Sequence, residues 1–198
     1  MEKLIVASQN RKKIEELSEI LVKHGFDPVP RDDAGIDDFE IVEDGETFEE
    51  NSFKKANEIM KVSGKVCLGD DSGLMVDYLG GAPGVYSARY AGEDGDAKAN
   101  NDKLLKALEN VPYEDRTAKF VTVITMCFPD GETIVTRGEI KGHIALDYMG
   151  EGGFGYDPIF IPEGYDQSFA QLGRAFKNTI SHRARALEKL DEELKKRK

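Results

Sequence analysis

The chain has 198 residues, enough for one large domain or two closely packed lobes with a sizeable core and no need of covalent staples. Its formal net charge of −11 excludes the extended basic surface that a binder of polymeric nucleic acid needs. It leaves room for a small phosphorylated ligand gripped by a few converging cations, and the excess carboxylates suit a divalent ion.

No apolar run approaches the ~18 residues of a membrane span, and the short run Leu4–Ala7 near the N-terminus is no export signal, so a cytoplasmic protein is expected. Cys67 and Cys127 each sit in an apolar, strand-like run and read as core thiols, not as a disulfide or zinc pair.

Residues 3–7 predict a short buried strand. A helix follows with Ile14, Leu17, Ile20 and Leu21 at helical spacing and Ser8 as its N-cap. Between them lies SQNRKK: a strand running through a polar turn into a helix N-terminus offers free amides and the positive dipole end, and Ser8, Asn10, Arg11, Lys12 and Lys13 add to it. That is a phosphate cradle without the glycines of a Walker loop.

After His24, Gly25 and Phe26 the chain enters an acidic region, DDAGIDDFEIVEDGETFEEN, with a loop-like start and a helix-like end. Thr47 and Glu50 then form a capping box for a helix whose apolar stripe is Phe53, Ala56 and Met60. Glu40, between Phe39 and Ile41, is the acid least like a solvated one, and Lys54 and Lys55 follow on the helix.

Residues 66–69 predict a buried strand, and Asp70 and Asp71 are expected where it ends, the place where α/β proteins keep their chemistry. Gly80, Gly81, Pro83 and Gly84 then predict a tight loop leading to Ser87 and Arg89. Acids, loop and cation together suggest metal-assisted chemistry on an anionic substrate.

Residues 97–110 predict a helix. Residues 118–128, the turn Pro129–Asp130–Gly131 and residues 133–140 predict an antiparallel hairpin, which 142–146 extends. In GEGGFGYDPIFIP, glycine backbone around Phe154 allows close approach to a ligand, with Phe154 as a stacking platform or as filler, before a strand at 158–162. Ser181 predicts the N-cap of a last helix carrying Leu187, Leu190 and Leu194, which places His182 and Arg183 in its first turn. Cations are unfavourable at that helix end unless they face a ligand.

Five ordered motifs, SQNRKK, GETFEENSFKKA, DDSGLMVDYLGGAPGVYSARYAG, GFGYDPIF and SHRARAL, resemble those of the inosine triphosphate pyrophosphatase family of RdgB-type enzymes, over almost the whole chain. The resemblance implies hydrolysis of ITP, dITP and XTP to the monophosphate and pyrophosphate. Within SQNRKK, Ser8, Asn10 and Lys13 would hold the triphosphate, with Gln9, Arg11 and Lys12 between them, and Lys55 and Arg89 would be further phosphate contacts. Glu40 and Asp71 match the magnesium ligands. Asp71 matches the proton acceptor, with Asp70 as the alternative, because adjacent carboxylates share one field.

Ser72 would touch substrate. Phe154, Gly155, Tyr156 and Asp157 would frame the base, and Lys177, His182 and Arg183 would read its edge. The implied fold is α/β: a single elongated domain over 1–198, with two lobes, a central cleft, a mixed twisted sheet flanked by helices and a long antiparallel hairpin. The family's members are commonly homodimers. The competing readings are a Maf-type nucleotide pyrophosphatase with another base preference and a nucleotide-binding regulatory module without turnover. Against the second stands the retention of Lys13, Glu40, Asp70 and Asp71 together.

Overall fold

The structure, a computed structural model, describes residues 1–8, 11–36, 41–92 and 95–197, apart from the side chain of Lys12. In chain order the elements are β1 (Glu2–Val6), α1 (Arg11–Leu21), β2 (Phe26–Pro30), α2 (Phe48–Ser63), β3 (Val66–Val76) and α3 (Ala97–Ala107). They continue as β4 (Thr117–Cys127), β5 (Thr133–Ile144), β6 (Phe160–Pro162), α4 (Phe169–Leu172), α5 (Arg174–Ile180) and α6 (His182–Lys196).

Six strands form one sheet in the order β2-β1-β3-β4-β5-β6. It is mixed: β1 pairs in parallel with β2 and with β3, whereas β5 and β6 are antiparallel. β4 and β5 are neighbours joined only by the turn through Pro129, Asp130 and Gly131, too short for a parallel crossover, so they form the expected hairpin. The Phe128 N–H donates to the Glu132 carbonyl at 3.0 Å to close it. The α/β class read from the residues and the mixed sheet implied by the resemblance are thus present.

The chain divides into two compact units, residues 1–71, 122–138 and 185–198, and residues 72–121 and 139–184. In the first, α1 contributes Ile14, Leu17 and Leu21 and α6 contributes Leu187, Leu190 and Leu194 to a core shared with Leu4, Val6, Leu68 and Ile124. Each large side chain buried there contributes about 1.5–3 kcal/mol. The core of the second unit joins Leu104 and Leu108 of α3 to Phe120, Phe160 and Phe169, with ring centroids of Phe160 at 4.6 Å from Phe120 and 5.3 Å from Phe169. Cys67 and Cys127 are buried free thiols, and burial raises the pKa of each, that of Cys67 to about 11.

Two expectations are corrected, and two elements are added to those expected. β3 does not stop at Gly69 but runs on to Val76, because Leu74 and Val76 continue the buried strand, so Asp70 and Asp71 lie inside it. Strand β2, before the acidic region, carries no expectation because Pro28 and Pro30 disguise it; prolines are tolerated because β2 is an edge strand. Helix α5 likewise carries no expectation, since its residues are mostly exposed and show no apolar stripe. Phe53 is exposed, and the buried face of α2 is instead Phe48, Asn51, Ser52, Lys55, Ala56 and Ile59. The capping box of α2 is as expected, with Thr47 Oγ1 accepting from Glu50 N at 3.1 Å and Glu50 Oε2 accepting from Thr47 N at 3.2 Å.

In the first unit, Asp191 of α6 accepts from Lys195 and pairs with His24 Nε2 at 2.7 Å. Lys195 and His24 together hold its pKa at about 2, below the usual 3.8. A carboxylate with a depressed folded-state pKa stabilises the fold fully above 3.8 and ceases to do so as pH falls toward about 2. Asp191→Asn is expected to flatten the acid limb of Tm against pH in that window; parallel wild-type and variant melts across it would count against the pairing.

Candidate active site

In the first unit, α2 lies so close to β3 that a Cβ placed on Gly69 would meet the Ser52 carbonyl oxygen at 2.4 Å and the Ala56 nitrogen at 2.8 Å. The missing side chain sets the distance between helix and strand, and the Ser52 hydroxyl shares a 2.7 Å hydrogen bond with Thr125 of β4. Residues 51 and 55, one helical turn apart, then point at the acids of β3. Lys55 Nζ donates to the Asp70 carbonyl at 2.9 Å, pairs with Glu43 at 2.8 Å and approaches Asp71 Oδ1 at 3.4 Å.

Asn51 is buried and uses both ends of its amide. Its Nδ2 donates to Asp71 Oδ2 at 3.2 Å, and its Oδ1 accepts from Gly45 N at 2.8 Å, tying the acidic loop before α2 to the strand. From α1, Lys13 Nζ reaches Asp70 Oδ2 at 2.7 Å. The result is two buried aspartates inside a strand, each facing a lysine.

Burial raises the pKa of Asp71; Lys55 opposes this, and the nearby Glu43 adds to it. Burial also works against the charge of Lys55, but Asp71, Asp70 and Glu43 outweigh it and raise its pKa. Asp71 is therefore a carboxylate with less positive compensation than its burial demands, and it would gain from a further cation. The two buried carboxylates are hard oxygen donors of the kind a divalent ion takes together with phosphate and water. Among the described residues no group of three such side chains converges. Glu40, Gln9 and Asn10 lie outside the described residues.

Ser8 follows β1 and is half-buried. Arg11 pairs with Asp33 at 2.6 Å and Asp32 at 2.8 Å, on the loop after β2.

In the second unit, Gly80, Gly81 and Gly84 take positive φ in the turn after β3, as that turn requires. The chain returns so that Ser87 Oγ accepts from Leu74 N at 2.9 Å. Ser72 and Arg89 are half-buried, with the Arg89 guanidinium over the Tyr86 ring at 5.3 Å. The loop 154–157 is tied from several sides. Asp157 Oδ2 accepts from Phe154 N at 2.9 Å, Lys177 Nζ bonds both Asp157 oxygens at 2.7 and 2.8 Å, and the Tyr156 hydroxyl donates to the Ser87 carbonyl at 2.7 Å.

Phe154, by contrast, is 81% exposed, presented rather than used as filler. His182 is buried with its ring stacked on Phe120 at 4.9 Å, Ser181 Oγ caps α6 by accepting from Ala184 N at 3.2 Å, and Arg183 is half-buried beside it. Lys13, Lys55, Asp70 and Asp71 are thus brought together in one unit. In the other, Phe154, Gly155, Tyr156, Asp157 and Lys177 form one connected group.

This fold is shared with solved proteins. The structure of the Staphylococcus aureus Ham1 protein superposes with a TM-score of 0.92 at 43% identity, covering 99% of this chain and 100% of that one. The chain belongs to the Ham1 family, whose family model matches residues 4–193. It is 50% identical over 201 residues to a dITP/XTP pyrophosphatase of Clostridium perfringens, covering 98% of each chain. It is 48% identical over 190 residues to a dITP/XTP pyrophosphatase of Bacillus licheniformis, covering 96% of each. The resemblance drawn from the five motifs is borne out.

Proposed function

We propose that the protein is a nucleoside-triphosphate pyrophosphatase that converts dITP, ITP and XTP to the monophosphate and pyrophosphate, removing non-standard purines from the nucleotide pool. The names of its relatives support the reaction class. The observation that carries it is the lysine–aspartate cluster, in which Lys13 and Lys55 meet Asp70 and Asp71. Binding a triphosphate needs those cations, and metal-assisted hydrolysis needs those acids.

On this reading Ser8, Gln9, Asn10, Arg11, Lys12 and Lys13 with Lys55 and Arg89 take the phosphates. Arg11 exchanges Asp32 and Asp33 for substrate at little cost, since exposed ion pairs are worth about 0–1 kcal/mol. Asp71 with Glu40 would hold Mg2+, which when bound would neutralise charge developing on the phosphates. Asp71, or Asp70 beside it, accepts the proton of a water that attacks the α-phosphorus. The bond from that phosphorus to the bridging oxygen breaks, and pyrophosphate departs with both electrons of the bond.

Phe154 stacks on the base, Ser72 touches substrate, and Lys177, His182 and Arg183 read the purine edge. A 6-oxo purine would satisfy donors there that adenine leaves unpaired. The reading extends, on the resemblance alone, to a cytoplasmic homodimer.

The test is pyrophosphate release with Mg2+ across ITP, XTP, dITP, GTP, ATP and dTTP. ITP and XTP should be clearly preferred. Equal rates across the panel, or phosphate released one group at a time, would sink the proposal.

A further inference from the structure

We propose that Asn101 of α3 is a positioning residue for base recognition, holding the Phe154–Asp157 loop by the Gly155 carbonyl so that Phe154 stays presented. The inference rests on the function proposed above. Asn101 is 3% exposed, and its Nδ2 donates to the Gly155 oxygen at 3.0 Å. A carbonyl can only accept, so this contact fixes which end of the amide faces the loop and turns Oδ1 the other way.

There Oδ1 is buried without a hydrogen-bond partner among the described residues. The Tyr148 hydroxyl gives its one proton to Asp102 Oδ1 at 2.8 Å and hydrogen-bonds the Asn101 side chain through its oxygen, so it leaves Oδ1 of Asn101 unpaired. An orphaned buried acceptor destabilises a fold. The ties of this amide therefore lie at its donor end, which holds the Gly155 carbonyl and meets the Tyr148 hydroxyl.

The neighbouring Asn100 provides the contrast. It is equally buried, yet both of its polar ends are satisfied, Oδ1 accepting from Ala91 N at 2.6 Å and Nδ2 donating to the Ala88 carbonyl at 3.0 Å. Asn100 thus secures its own segment with nothing left over, as a structural residue does. Asn101 leaves one end unsatisfied to hold a loop whose other ties, Asp157 to Phe154 N, Lys177 to Asp157 and Tyr156 to Ser87, do not reach the Gly155 carbonyl. Gly155 has φ of +60°, so its peptide orientation depends on what holds it.

The experiment compares the wild-type chain with Asn101→Ala, Asn101→Asp and Asn100→Ala. The readouts are Tm, kcat and KM for ITP, IMP binding by calorimetry and pyrophosphate binding. Asn101→Ala is expected to change Tm less than Asn100→Ala does, because loss of the orphaned oxygen offsets the lost ties to Gly155 and Tyr148. KM for ITP and Kd for IMP should rise roughly 5- to 10-fold, the equivalent of one lost hydrogen bond, with kcat and pyrophosphate binding near wild type.

Asn101→Asp keeps the shape, loses the donor and should match or exceed the binding defect, whereas Asn100→Ala should lower Tm. If Tm, IMP and pyrophosphate binding all fall together in Asn101→Ala, the role is merely structural and the inference is overturned. It is equally overturned if IMP binding is unchanged beside a wild type that binds IMP. A wild-type protein that neither binds IMP nor turns over ITP overturns the function itself.

Discussion

Asp71→Asn is expected to lower kcat for ITP by about 10²–10⁴-fold, the usual contribution of a positioned general base, while leaving the fold and most of the substrate affinity intact. The variant is nearly isosteric, and its one amide oxygen can keep the Asn51 Nδ2 bond at the Oδ2 position, with its nitrogen turned toward the longer Lys55 contact at Oδ1. Lys55 also keeps Glu43 and the Asp70 carbonyl, and Lys13 keeps Asp70, so the cations proposed to grip phosphate stay in place.

Stability should move the other way from activity. A carboxyl whose folded-state pKa is raised destabilises the fold above that pKa and does so least below its unfolded value of 3.8. At neutral pH the uncharged amide of the variant therefore removes a penalty, and Tm should hold or rise. Single-turnover rates and equilibrium binding of a non-hydrolysable nucleotide separate the effects. Undiminished turnover in Asp71→Asn would transfer the proton-accepting role to Asp70, and Asp70→Asn is the variant to compare.

Much of this site was legible because its groups come in short segments. Lys13, Lys55, Asp70 and Asp71 each sit beside a pattern that local rules can read: a helix start, a capping box and an apolar run ending in acids. What local rules miss is where a buried strand stops when polar residues enter it. Asp70 and Asp71 read as an end because carboxylates seldom lie within a strand, but with lysines facing them from α1 and α2 they can, and β3 runs on.

Asn51 was missed although a signal existed. It lies four residues before Lys55 on one helix, so any face that directs Lys55 at Asp71 directs Asn51 there as well. β2 was hidden by its prolines and α5 by lack of an apolar stripe; in each case an edge position or exposure removes the constraint that leaves a pattern. The tie from Asn101 to Gly155 links residues far apart in sequence, and no spacing rule reaches it.

Gly69→Ala is the second large expected effect, and its origin is distance alone. The added methyl would sit 2.4 Å from the Ser52 carbonyl oxygen and 2.8 Å from the Ala56 nitrogen, both backbone atoms that cannot swing aside. Helix α2 must therefore retreat from β3. Overpacking of this kind costs about 1–3 kcal/mol and occasionally more, so a marked drop in Tm is expected.

The retreat also carries Lys55 and Asn51 away from Asp70 and Asp71 and strains the Ser52–Thr125 hydrogen bond. Activity should consequently fall even at temperatures where the variant is fully folded, chiefly in kcat, because the groups that compensate and orient Asp71 are displaced. Gly25→Ala, where a Cβ meets nothing within 4 Å but φ is +85°, supplies the comparison. It should lower Tm through backbone strain and leave kcat of the folded protein unchanged. A Gly69→Ala protein with wild-type kcat well below its melting transition would mean that the close approach of α2 serves packing only and does not set the geometry of the acids.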